Sequence, residues 1–381
     1  MASEFLNQNQ AQRDLPASAG HQNLVSLCSP AVARLDPYIA GEQPRMAGLT
    51  KLNTNENPYP PSPRVVAAIQ AAAQQGLQLY PDPDALVLRS AMADHYGLDT
   101  GQVFVGNGSD EVLAHAFYAF FQQTGLPLLA PDITYSFYRV YCHLYGIALE
   151  VQPVDDGLRI DMDAMAARAA QPCAGVVLAN PNAPTGVGLP LECIERLLCA
   201  CPQRVVLVDE AYVDFGGSSA VGLIARYPNL LVVHTLSKSR SLAGLRVGCA
   251  LGQRHLIEVL ERVKNSFNSY PLDALAIAGA TAAYVDAAYF NTTCAAVMHS
   301  REGLTLQLED LGFFVLPSQA NFLLVRHPAH DAAALAAGLR RRAVLVRHFQ
   351  LPRIAQYLRI SVGTPQQCDL LVRALEDVLQ G

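Results

Sequence analysis

The sequence predicts an α/β protein: a large domain with a mostly parallel central sheet flanked by helices, followed by a smaller α+β domain. Three observations carry this. Short apolar runs recur at 102–105, 127–130, 175–179, 205–208, 230–234 and 247–251, and such runs suit strands buried on both faces. Helical spacing separates most of them, as at 111–122 and 191–200; strand and helix in alternation predict a crossover-connected parallel sheet. After NSYPL (268–272) the pattern shifts to a long Ala-rich helical stretch from 273 past 301. Strand-like runs then follow at 313–316, 321–325 and 357–362, with helices at 330–341 and 366–379.

The remaining elements follow in order. Residues 1–30 are polar and rich in Gln, Asn and Ser, which reads as a flexible arm. Residues 52–63 (LNTNENPYPPSP) are dense in proline and asparagine and read as extended chain with turns. Helices are expected at 64–75 and 85–96, with an extended LYPDP loop (79–83) between them. The expected division is an arm at 1–30, a segment at 31–58 packing with the small domain, a large domain at 59–272 and a small domain at 273–381.

Composition narrows the function classes. Hydrophobic residues make up 51% and charged residues 16% of the 381, which excludes a disordered chain. A net charge of −6 argues against nucleic-acid binding by bulk charge. Nine cysteines without a CxxC pair suit a reducing compartment and no zinc site. The first twenty residues lack the basic start and apolar core of a signal peptide, and no run of 18 apolar residues offers a membrane span. A cytoplasmic protein is expected.

Ligands of open parallel sheets bind beyond the C-terminal ends of the strands, so the polar residues there matter. After 102–105 comes GNGSDE (106–111), where glycines and a helix N-terminus can approach an anion. After 175–179 comes NPNAPTG (180–186), a stiff loop. After 205–208 comes Asp209, in DEAY, an acid that needs a cation or hydrogen bonds if buried. After 230–234 come Ser237 and Lys238, then Arg246; a lysine at a strand end is a candidate Schiff-base nucleophile. Each piece alone is ordinary. Together, an anion cradle, an acid, a tyrosine, a lysine and an arginine at successive strand ends match the needs of pyridoxal phosphate.

At this point the chain resembles the fold-type I, class I/II aminotransferases, and within them the histidinol-phosphate aminotransferases. The resemblance runs from about residue 35 to the C-terminus. It rests on LDPY (35–38), LNTNENP (52–58), LYPDP (79–83), GNGSDE, PDITY (131–135), NPNAPTG, DEAY (209–212), TLSK (235–238), AGLRVG (243–248), NSYPL and LRISVGT (358–364). It implies a pyridoxal 5'-phosphate enzyme that moves an amino group from L-histidinol phosphate to 2-oxoglutarate in histidine biosynthesis. An aromatic amino-acid aminotransferase, or a threonine-phosphate decarboxylase, would use the same scaffold.

The resemblance also implies roles. Lys238 holds the cofactor covalently and moves the substrate proton. Asp209 pairs with the pyridinium nitrogen, Tyr212 bonds the phenolic oxygen, and Tyr135 stacks on the ring. Gly108, Ser109, Asp110, Ser237 and Arg246 hold the phosphate. Tyr80 reaches the cofactor phosphate of a neighbouring subunit, which implies a homodimer with shared sites. Arg359 takes the substrate anion, and Tyr38, Arg347 and Asn321 lie on the substrate side. One position departs from the family pattern. Relatives often read NNPTG, whose second asparagine contacts the phenolic oxygen; here it is Ala183. The expectation is that Asn182 substitutes, or that Tyr212 acts alone.

Overall fold

The computed structural model describes residues 27–38, 41–44 and 48–380; most of the expected arm, residues 1–26, lies outside them. In chain order the strands are β1 (Thr50–Leu52), β2 (Val103–Asn107), β3 (Leu128–Pro131), β4 (Leu149–Gln152), β5 (Gly175–Ala179), β6 (Val206–Asp209), β7 (Leu230–Thr235), β8 (Val247–Gly252), β9 (Phe314–Val315), β10 (Phe322–Arg326), β11 (Val344–His348) and β12 (Leu358–Ser361). The helices used below are α1 (Pro63–Gln74), α2 (Leu86–Tyr96), α3 (Gly108–Ala116), α4 (Phe137–Tyr145), α5 (Met162–Ala169), α6 (Leu191–Ala200), α7 (Arg254–Phe267), α8 (Ala274–Val285), α9 (Ala287–Asp310), α10 (Ala332–Arg341) and α11 (Pro365–Leu379).

Seven strands form one sheet in the order β2-β8-β7-β6-β5-β3-β4. Strand β8 runs antiparallel to both of its neighbours, and the other ladders are parallel. Every residue of β5, β6, β7 and β8 is buried, because helices cover both faces. Side chains alternate between two cores. Val176, Leu178, Val206, Val208, Leu230 and Val232 enter one; Val177, Leu207, Leu231 and Val233 enter the other. A second sheet, in the order β1-β11-β12-β10-β9, is antiparallel except where β1 pairs with β11.

Two expectations are corrected. The Ala-rich stretch from 273 is not one helix but α8 and α9, broken at Asp286. Its carboxylate accepts from the Tyr289 N–H as the cap of α9 and from the Ser62 hydroxyl, and a capping side chain competes with a continued helix. The helix expected at 111–122 starts earlier, at Gly108, and passes at Phe117 into a π-helical turn ending at Phe121. That early start puts Ser109 and Asp110 in its first turn.

Candidate active site

The strand ends converge as the residues alternate. Asp209 closes β6 on the face that carries Tyr138, while Glu210 is received by the His234 ring and the Ser219 hydroxyl. Asp209 is buried at 5% exposure; its Oδ2 accepts from the Tyr138 hydroxyl (2.9 Å) and its Oδ1 from the Ala211 N–H (3.2 Å). Among the described residues it has no cationic partner within ion-pairing distance. Burial, only partly offset by the bond from Tyr138, pushes its pKa from 3.8 up to about 6.

Lys238 follows β7. Its Nζ donates to the Thr54 carbonyl (3.2 Å) and lies 5.7 Å from the centre of the Tyr212 ring. Ser237, also buried, accepts from the Thr235 hydroxyl (3.0 Å). The Tyr212 ring meets Phe322 edge to face at 5.0 Å, and its hydroxyl accepts from Asn55 Nδ2 (3.1 Å).

The first turn of α3 has no side-chain cap, so the N–H groups of Gly108, Ser109 and Asp110 have neither a capping side chain nor an intrahelical acceptor. Gly108 has φ +79°, and a Cβ there would sit 2.5 Å from Arg246 Nη2; a Cβ on Gly248 would sit 2.3 Å from the Ser109 nitrogen. Only glycine lets β8 and Arg246 approach this turn so closely. Arg246 Nη2 in turn pairs with the Asp110 carboxylate (3.0 Å), which also accepts from the Tyr135 hydroxyl (3.3 Å). Burial and that carboxylate hold the Tyr135 phenol well above its usual pKa.

On the second sheet, Arg347 of β11 stands opposite Arg359 of β12 in register. Arg359 Nη2 donates to the Asn53 carbonyl (2.8 Å), its guanidinium lies over Phe322 and Phe349, and its Nε is buried without a partner. Loss of water, with Arg347 nearby, pulls its pKa down. Neither guanidinium forms an ion pair among the described residues. Tyr38 packs on Phe137 at 4.8 Å between ring centres. Asn321 is fully buried; its Nδ2 donates to the Asn55 carbonyl (3.0 Å) and its Oδ1 has no partner.

Two further expected residues remain. Tyr80 is 82% exposed and stacks on Tyr270. Asn182 is buried and committed within its loop. Its Nδ2 donates to the Ile133 carbonyl (2.9 Å) and Thr185 hydroxyl (3.1 Å), and its Oδ1 accepts from Thr134 (2.9 Å). The expectation that Asn182 substitutes at the phenolic oxygen is therefore corrected: no donor is left over. Sequence reasoning gave no role to Tyr138 or Asn55. The i, i+3 spacing of Tyr138 and Tyr141 was the available signal for the first; Asn55 was visible only as part of LNTNENP.

The chain belongs to the aminotransferase class I and II family, whose model matches residues 47–375. Within it, histidinol-phosphate aminotransferase 1 of Pseudomonas aeruginosa is 60% identical over 347 residues, 91% of this chain and 97% of that protein. A histidinol-phosphate aminotransferase from Sinorhizobium meliloti, solved in complex with pyridoxal-5'-phosphate, superposes with a TM-score of 0.83 at 25% identity, over 93% of this chain and 98% of that one. An L-threonine-O-3-phosphate decarboxylase from Porphyromonas gingivalis (TM-score 0.74, 24% identity, 87% of this chain and 99% of that one) shares the fold. No helix among the described residues is long and apolar enough to cross a membrane, and they contain no metal-ligating cluster.

Proposed function

We propose that the chain is a pyridoxal-phosphate-dependent histidinol-phosphate aminotransferase, transferring the amino group of L-histidinol phosphate to 2-oxoglutarate, as a cytoplasmic homodimer. The observation that carries the substrate reading is the facing pair Arg347 and Arg359, two cations with no acid partner among the described residues. Such a pair suits a substrate phosphate in one half-reaction and a carboxylate in the other.

The residues fit the cofactor. The buried Asp209 carboxylate lacks a cation, which a protonated pyridine nitrogen supplies. The uncapped turn of α3 and Arg246 suit a phosphate, in a cradle that a Cβ would fill. When bound, pyridoxal phosphate supplies a conjugated ring that draws electrons from the substrate Cα. The protein does the rest. Asp209, oriented by Tyr138, holds the proton on the ring nitrogen. The Lys238 amine, beside the Thr54 carbonyl, takes the proton from Cα and returns it. Tyr135 restricts tilt of the ring, Tyr212 donates toward the phenolic oxygen, and Ser237 joins the phosphate contacts. Arg359 and Arg347 hold the far anion, with Tyr38 and Asn321 at the substrate side.

The exposed Tyr80 supports the dimer. It stacks on Tyr270, itself partly exposed, and its sequence neighbours Leu77 and Leu79 are exposed as well; exposed apolar side chains of this kind suit a partner surface. In the proposed dimer it reaches the partner's phosphate. An active monomer on gel filtration would overturn this part.

The test is a half-reaction on cofactor-loaded protein, followed by loss of the visible band. Fast conversion with L-histidinol phosphate and slow conversion with L-phenylalanine is expected. A preference for phenylalanine would move the function to aromatic amino acids. Carbon dioxide release from threonine phosphate without glutamate formation would make the chain a decarboxylase.

A further inference from the structure

Ala183 leaves no amide donor beside Tyr212 in the NPNAPTG loop; its methyl group packs with Ala320, Phe322 and the Tyr212 ring. Asn182 is spent within the loop. The donor that does reach the Tyr212 hydroxyl comes from another part of the chain, Asn55 in the segment after β1.

The orientation of Asn55 follows from its neighbours. Its backbone N–H, which can only donate, goes to Ser361 Oγ (2.8 Å). The Ser361 hydroxyl, already accepting there, donates to Asn55 Oδ1 (3.0 Å). The amide oxygen is thereby committed as acceptor, so the Nδ2 facing Tyr212 donates. Asn321 Nδ2 closes the set at the Asn55 carbonyl. Asn55 is buried at 1% exposure and sits at φ +56°, a conformation that asparagine tolerates better than most residues. With its oxygen accepting from Asn55, Tyr212 keeps its own proton for a second acceptor.

We propose that Asn55 is the positioning residue that fixes Tyr212 as a donor toward the cofactor's phenolic oxygen, filling the part left open at Ala183, and that Ser361 sets the direction of Asn55. The proposal rests on the cofactor reading above. It also ties Tyr212 to β12, because Ser361 stands two residues beyond Arg359 on that strand. The phenol is thus hydrogen-bonded, through Asn55, to the strand that also carries Arg359.

The experiment is a pH titration of the visible band of the pyridoxal-phosphate-loaded protein. A bond donated to an anionic oxygen favours its charged form, so weakening that bond makes the oxygen retain the neighbouring proton, and the midpoint rises. Asn55→Ala is expected to raise it by about half a unit to one unit, the size of one hydrogen bond. Asn55→Asp keeps the backbone conformation but turns a donor into an acceptor that captures the Tyr212 proton; its rise should be at least as large. Ser361→Ala should move the midpoint the same way by less. An unmoved midpoint in Asn55→Asp, with Tyr212→Phe shifting it, overturns the proposal. A cofactor-free readout stands beside this: the urea midpoints of Asn55→Ala, Tyr212→Phe and the double variant. Non-additive effects support the contact, and additive ones overturn it. If the wild type forms no visible band, the functional reading fails and the urea cycle alone decides on Asn55.

Discussion

Gly108→Ala tests the anion cradle most directly. Gly108 holds φ +79°, where a side chain costs about 1–2 kcal/mol. Its new Cβ would meet Arg246 Nη2 at 2.5 Å. Arg246 is the flexible partner, so its guanidinium gives way rather than the backbone of α3. A charge-assisted hydrogen bond to a phosphate is worth about 1.5–3 kcal/mol. Displacing Arg246 should therefore weaken pyridoxal phosphate about 10- to 100-fold, at about 1.4 kcal/mol per tenfold. The assay is equilibrium dialysis with pyridoxal phosphate and, in parallel, with pyridoxal. Pyridoxal lacks the phosphate, so its affinity should hardly change. Equal losses for both ligands would refute the cradle and point to general damage. No loss for either would show that Arg246 does not serve the phosphate.

Asp209→Asn should act through pH in the cofactor-free protein. The folded-state pKa of about 6 lies above the ordinary 3.8, so the folded state binds the proton more tightly than the unfolded one. Wild-type stability then falls as pH rises through that window, by about 2–3 kcal/mol in all. The variant should lack this fall and be relatively more stable at pH 7 than at pH 4 in urea titrations; parallel curves would count against a buried, unpaired Asp209. Arg359→Lys keeps the charge but loses the fork and its packing over Phe322 and Phe349. It should raise KM for the phosphate-bearing donor about 10- to 100-fold while leaving pyridoxal phosphate affinity unchanged in dialysis, and a reverse split would place Arg359 on the cofactor.

The strands of the large sheet were legible to within a residue or two because they are buried on both faces. A continuous apolar run is then the whole signal, and β5 begins and ends where its run does. Strand β4 (LEVQ) gave no run because it is a half-exposed edge. Nor did β11 stand out, since it ends on Arg347 and His348. The α8–α9 break was hidden because Ala-rich composition favours helix on both sides, and one capping aspartate decides the boundary. In the site, residues fixed by strand order (Asp209, Lys238, the 106–111 turn) could be read from their places after apolar runs. The contacts that orient them could not. Tyr138 meets Asp209 across 71 residues of sequence, and Asn55 meets Tyr212 across 157.

The Ala183 position shows why such contacts escape a motif. Sequence proximity favoured Asn182, one residue away, as the replacement donor. Hydrogen-bonding capacity rules otherwise. An amide has one acceptor oxygen and two donor hydrogens, and Asn182 uses its oxygen on Thr134 and donates to Ile133 and Thr185. Freeing it would unpin the loop from the PDITY segment that carries Tyr135. Asn55 has the opposite balance. Its oxygen is committed to Ser361, and an N–H remains for Tyr212. Asn55 thus keeps a donor for Tyr212 from a segment far away in sequence, because its own partners leave that group over.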